Sequence, residues 1–280
     1  MSTYQAESFL GSGRLLVGLN DGDGVFQGYL DVGNAKSFAI KGISTEKKEV
    51  IGMRPENFGA VIDSVVTKKS QTLGFVLTDI NRKNLALAMM GSDADFTQNA
   101  GNNTATPQEL DVPVLDNWYQ MELSAGVPVY NLDPETPPVV TTNATPPVTL
   151  DEWDAENETG DYEIDYVHGL IKPLSTGNIS AADTILIGAT ALAITEGFQV
   201  IGDSLVELNG KLLLLGEDQN LGRKVRLEIF SANLTPEGDQ AWISTEYTEL
   251  SFSGNIKYDA VAEGTYQYTD LGPLTPAGQG

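Results

Sequence analysis

Through most of this chain apolar residues recur at every second position, in short runs parted by turn residues. That period limits the fold more than any other feature. Leu73, Phe75 and Leu77 alternate with Gly74 and Val76, and Val225, Leu227 and Ile229 with Arg226 and Glu228. Leu250, Phe252, Ile256 and Tyr258 fall on one face of TELSFSGNIKYDA, and Phe38 and Ile40 share a face with Lys41 opposite. Asp-Gly pairs in LNDGDGVF and the Gly33-Asn34 step are hairpin signals. The helical period surfaces once, in QTLGFVLTDINRKNLALAMMG (71–91). There a strand passes into a helix over 81–90, with Asp79 or Asn81 as N-cap, Leu85, Ala88 and Met89 on one face, and Gly91 closing it. Short strands at this spacing predict a mainly β fold: a sandwich or barrel of two packed antiparallel sheets with one short flanking helix.

At 280 residues one β domain over 1–280 is the simplest expectation. STEKKEVIGMRPENFG (44–59) joins two strands and reads as a long polar loop, a length usually tied to function. Residues 92–160 are polar and Pro-rich and read as loops or an insertion around short strands. DYEIDYVHGLIKPL (161–174) reads as a hairpin turning at His168-Gly169, and 270–280 as a flexible tail.

Net charge is −23, unevenly placed. Residues 1–83 hold ten bases and nine acids, whereas 84–280 hold six and thirty. Such a balance serves solubility, and it opposes any grip on nucleic acid, which needs the opposite sign. The opening residues lack a basic segment followed by an apolar one, so no secretory signal is expected. TILIGATALAI (184–194) is too short to span a bilayer, so no membrane insertion is expected either.

Catalytic candidates are few. There is no cysteine and one histidine, which leaves no thiol nucleophile and no usual zinc set. His168 precedes a glycine in a turn, and no G-x-S-x-G accompanies it. GLNDGDG fails as an EF-hand, because its first and twelfth positions would be Leu19 and Leu30. GSGR at 11–14 is a weak glycine motif, and five Asn-x-Ser/Thr sequons fall in Asn- and Thr-rich loops. The acids of DEWDAENETGDYEID could supply a glycosidase pair, yet nothing in the sequence buries one of them. No enzyme, cofactor or metal is expected.

Three stretches together carry a resemblance: GYLDVGNAKSFAIKGISTEKKEVIGM, QTLGFVLTDINRKNLALAMMG and KVRLEIFSANLTPEGDQAWISTEYTELSFSGNIKYD. In that order, over about residues 14–260, the chain resembles the tail tube (major tail) proteins of long-tailed bacteriophages. The resemblance implies a tail-tube-like fold, hexameric rings of this chain stacked into a tube, and DNA passing through an acidic lumen without being bound. It implies partners among the tail tip, tape measure and terminator proteins, and a place in the virion tail after assembly in the bacterial cytoplasm. Carried onto this sequence, the 44–59 loop would reach the next ring. Ile51, Met53 and Phe58 would bury on stacking, and Lys47, Lys48 and Arg54 would pair with acids there. Arg82, Lys83, Leu85 and Met89 would mark a helix at a subunit seam, although such a helix equally suits a lid on the core. The competing expectation is a β-sandwich carbohydrate-binding or adhesin module using Trp118, Trp153 and Trp242.

Overall fold

The computed structural model describes residues 11–21, 24–112, 114–181, 183–219 and 223–272. It is mainly β, with several antiparallel sheets and one short helix, as the period-two pattern predicts. The chain divides into two compact units, one from 1–93 with 200–280 and the other from 94–199.

The first unit is built on a nine-stranded sheet. Its N-terminal strands are β1 (Gly11–Leu19), β2 (Leu30–Asp31), β3 (Ala35–Ile40), β4 (Ser44–Ile51) and β5 (Val61–Leu77). Leu208–Asp218, Lys224–Glu237, Leu250–Ile256 and Tyr266–Asp270 complete it. From one edge the order is β2, β1, Leu208–Asp218, Lys224–Glu237, Leu250–Ile256, β5 and β3, with Tyr266–Asp270 beside Lys224–Glu237 and β4 beside β5. The expected alternations hold where the sheet faces its core: Leu73, Phe75 and Leu77 are buried, as are Leu250, Phe252 and Ile256. Phe75 stacks on Phe252 with ring centroids 4.8 Å apart. Tyr258 does not share that face. It lies beyond the strand and is exposed. Pro236, expected in a turn, sits inside Lys224–Glu237, and the chain turns at Gly238.

Helix α1 (Arg82–Ala88) follows β5 directly. Asn81 is its N-cap, accepting from the Asn84 N–H at 2.9 Å. Its C-terminus differs from expectation. Met90, at φ 46°, takes the left-handed position, and the Gly91 N–H reaches back to the Ala86 carbonyl at 2.8 Å. Gly91 is needed for another reason, since a Cβ there would lie 2.3 Å from the Ile201 carbonyl oxygen. The buried residues are Asn84, Ala86, Leu87 and Ala88, whereas Leu85 and Met89 are only half-buried. Asn84 donates to the Val32 and Asp79 carbonyls, both at 2.8 Å, and so ties the helix to its own sheet as a lid.

The second unit takes in most of 92–160, expected as loops or an insertion around short strands. Thr184–Gly188 lies between Gln108–Asp111 and Val139–Thr142, and Leu170–Pro173 lies between Tyr162–Asp165 and Tyr119–Gln120. Ser92–Gln98 pairs with Ile194–Ile201. Met121, Val140, Ile171, Ile185 and Ile187 are buried in its core. The irregular backbone is satisfied by side chains that the sequence presents as loop filler. Gln98 bridges the Tyr130 backbone N–H and carbonyl, and also donates to the Leu192 carbonyl. Asn103 donates to the Glu122 carbonyl and accepts from the Ala189 N–H. The hairpin at 162–173 is present as expected, with Gly169 at φ 64°.

No helix among the described residues is long and apolar enough to cross a membrane. The expected tail at 270–280 begins inside the strand Tyr266–Asp270, and 273–280 lie outside the described residues.

Candidate functional site

Residues 44–51, expected from sequence as loop, are strand. β4 pairs antiparallel with β5 from Ser44↔Ser70 to Ile51↔Val61. Only residues 52–60 form the tip. EKKE has no apolar alternation to betray the strand, because here there is no core to require one. Leu250–Ile256 and β3 pair with β5 only over 71–77. Among the described residues, β4 is thus the only strand beside residues 61–70, and the two form a ribbon about 30 Å long.

Every residue of β4 and all ten of Val61–Ser70 are exposed. Val50, Val61, Ile62, Val65 and Val66 project from it at 43–59% exposure, where a folded body would cover at least one face. None of these five is picked out by the sequence reasoning above. The available signal is AVIDSVV, which places apolar residues at both odd and even positions and so leaves neither face polar.

The tip is closed on itself. The Gly52 N–H donates to the Ala60 carbonyl at 2.7 Å, and the Gly59 N–H to the Gly52 carbonyl at 3.0 Å. Asn57 accepts from the Arg54 N–H through its side chain. A Cβ on Gly52 would come 2.4 Å from the Asn57 carbonyl oxygen, and Gly59 sits at φ 81°. From this frame Met53 and Phe58 point into solvent, 77% and 74% exposed. Lys47, Lys48 and Arg54 have no acid within 4 Å among the described residues, whereas Lys68 pairs with Glu46 at 3.1 Å. The ribbon, 44–70, carries five bases and four acids in a chain of net −23. All six residues expected to serve ring stacking therefore lie together on one exposed element.

The helix residues do not join them. Leu250–Ile256 runs along β5 from Leu250↔Leu77 to Ile256↔Gln71, so the ribbon leaves β5 at one end and α1 follows it at the other. The Lys83 ammonium lies 2.9 Å from Asp93, and the Arg82 guanidinium contacts the same carboxylate. The acid that answers these two cations is thus in the same chain. Lys83 and then Arg82 hold the Asp93 carboxyl below its usual range, against the opposing effect of burial. Leu85 lines a small apolar groove with Ile80, Trp242 and Leu250.

Among the described residues, the remaining candidates from the sequence are engaged in local contacts. Among the described residues no cluster of His, Asp and Glu could hold a metal ion. Asp21 of the Asp-Gly turn accepts from the Val25 N–H and from Gln27, while Gly22 and Asp23 lie outside the described residues. His168 lies 2.8 Å from Asp165 within its turn. One acid of 151–165 is buried after all: Asp161, which accepts from the Asp151 and Asn178 N–H groups and the Asn178 amide. Those bonds give it a bracing role. Tyr162 is pushed up to about 12 by burial first and by neighbouring acids second. A cleft of about 370 Å³ lined by Val17, Gln27, Tyr29, Lys83, Leu87 and Asp93 has its polar groups engaged, Lys83 with Asp93, Tyr29 with Glu228 at 3.3 Å and Gln27 with Asp21. Trp118 lies under the Lys172 ammonium in the second unit, to which Trp153 also belongs, whereas Trp242 belongs to the first.

No curated protein matches the chain significantly. A family described as "Protein of unknown function UCP028589" matches residues 8–269, and with nearly its whole length matched the chain belongs to that family.

Proposed function

We propose that the protein is a structural subunit that polymerises with copies of itself, as the tail tube protein of a long-tailed bacteriophage does, in stacked sixfold rings that conduct DNA. One observation carries the reading: the two-stranded ribbon 44–51 with 61–70, exposed on both faces and apolar on both. An isolated hairpin is marginal in water, and a contiguous apolar patch on a soluble chain marks an interface. Fully burying one Val, Ile, Met or Phe side chain contributes about 1.5–3 kcal/mol, part of which is offset by the lost freedom of association. Copies of the chain are a suitable partner, because the ribbon is near neutral while the remainder is strongly acidic.

The acidity fits a conduit. A wall of carboxylates lets a phosphate polymer slide without forming the lysine and arginine contacts that would hold it. In such a particle the tail tip, tape measure and terminator proteins would meet the ends and interior of the tube, and the protein would reside in the virion tail. No chemistry and no cofactor is required of it.

Electron microscopy of the purified chain, dilute and then concentrated, tests the proposal. Rings or tubes with a central hole are expected to appear with concentration, and dispersed particles at every concentration would refute unaided polymerisation. The 70% exposure of Trp242 favours one other reading, a glycan-binding module, for which retention on immobilised polysaccharide without polymerisation is the decisive outcome.

A further inference from the structure

We infer that the loop 238–249 of one copy receives the ribbon tip of the next, so that the chain polymerises head to tail along the axis of β5. The inference rests on the self-assembly reading and adds the acceptor.

Topology supplies the first argument. The strand Leu250–Ile256 begins opposite Leu77 and ends opposite Gln71. The loop entering at Leu250 is therefore at the end of β5 from which the ribbon does not leave. Tip and loop lie at opposite ends of one 17-residue strand, about 55 Å apart along it. They cannot meet within a copy. A contact between two different surfaces at opposite ends of a subunit does not close on a pair; it propagates.

Chemistry supplies the second. Loop and tip both expose apolar side chains to water, and the loop is acidic, whereas the ribbon that carries the tip holds five bases against four acids. Ile243 is 98% exposed and Tyr247 96%, beside Trp242. Asp239 and Glu246 have no base within 4 Å among the described residues, and no lysine or arginine occurs from 227 to 256. The tip offers Met53, Arg54 and Phe58, with Glu56 between them in sequence and Lys47 and Lys48 on the strand behind. Methionine against aromatic rings, and lysine or arginine against unpaired carboxylates, are mutually suited contacts.

The loop is also held in place. Gln240 donates to the Ala88 carbonyl at the end of α1 at 2.8 Å, Thr248 to the Ala241 carbonyl at 2.9 Å, and Lys36 pairs with Glu249 at 2.7 Å. Those contacts leave Trp242, Ile243 and Tyr247 presented outward on a fixed base.

Because the chain has no cysteine, single-cysteine variants of the full-length protein give a clean test. Met53→Cys mixed with Ile243→Cys under mild oxidation is expected to give a mixed covalent dimer at least tenfold above either variant alone. The variant Trp242→Ser/Ile243→Ser/Tyr247→Ser, altered only at exposed positions, is expected to remain folded and fail to polymerise. Polymers formed by that variant at the wild-type concentration would overturn the acceptor assignment while leaving self-assembly intact. So would predominant Met53→Cys homodimers from wild-type-like polymers. Wild-type monomers at every concentration, with no mixed dimer, would overturn both.

Discussion

β5 is one strand with two halves, and they are built for different surroundings. From Gln71 to Leu77 the residues alternate buried and half-buried, with Leu73, Phe75 and Leu77 in the core. From Val61 to Ser70 all ten are exposed. The buried half has a strand on each side, and the other half, among the described residues, has only β4. In the first half, period-two alternation answers to a core of the same chain. In the second, Val61, Ile62, Val65 and Val66 place apolar groups on both faces, which answers to nothing in the chain. Charges divide in the same way. At the buried end Arg82 and Lys83 find Asp93, whereas on the ribbon Lys47 and Lys48 find no acid within 4 Å among the described residues. A region internally satisfied and a region needing a partner can thus be told apart on one strand.

The largest contrast should come from truncating each half. Phe75→Ala removes a buried ring stacked on Phe252 and is expected to cost the monomer about 3–5 kcal/mol in chemical denaturation. Val65→Ala, at a site 59% exposed, should change monomer stability by less than about 0.5 kcal/mol and yet weaken assembly. Equal monomer losses at both sites would erase the distinction between the halves.

Charge reversal sharpens the comparison further. Lys47→Glu/Lys48→Glu/Arg54→Glu is expected to leave the melting temperature of the monomer within a few degrees and to abolish stacking, seen as loss of tubes in micrographs. Adding Asp239→Lys/Glu246→Lys to a second copy should restore mixed polymers. Tubes of normal length from the first variant alone would remove the ribbon from the interface.

The two halves are also unequally legible in the sequence. The buried half and α1 are readable because a core imposes a period, and Asn81 imposes a cap. The six residues expected to serve stacking stand out by charge and length, although their segment has the composition of a loop. Strand identity there depends on backbone pairing to β5, which leaves no mark on side chains facing water. Residues 92–160 are readable only as loops or an insertion around short strands, for the opposite reason. Gln98, Asn103, Gln120 and Asp161 resemble loop composition, but they turn inward to the backbone. Asp93 is hidden because proximity to Arg82 and Lys83 depends on how the chain returns after α1.

Acid titration separates the paired charges from the unpaired ones. Asp93 has its folded value lowered, chiefly by Lys83. Its contribution is therefore fully present above the ordinary value of 3.8 and is lost as pH falls through the lower folded value. Asp93→Asn should flatten that limb of the stability curve and lower monomer stability near neutral pH by about 1 kcal/mol. Lys47→Met, which has no such partner to lose, should leave the acid limb unchanged. An unaltered acid limb in Asp93→Asn would mean that the cations of α1 are answered by solvent, as those of the ribbon are.

The smallest effect isolates preorganisation of the tip. Gly59 sits at φ 81° with no atom within 4 Å of where a Cβ would stand, so Gly59→Ala introduces backbone strain and no collision. That strain is about 1–2 kcal/mol for a non-glycine residue. Because the ribbon is bonded to the body only through its base, the strain should not reach the core. The melting temperature of the monomer should hold, while the amides of Gly52 and Ala60 should exchange about fivefold or more faster. The concentration needed for polymerisation should rise by a similar factor, since a tip that is no longer fixed must be ordered on docking. A raised exchange rate with an unchanged polymerisation threshold would show that the tip is ordered without being the part that docks, and would move the interface down the ribbon to Val50, Val61 and Val65.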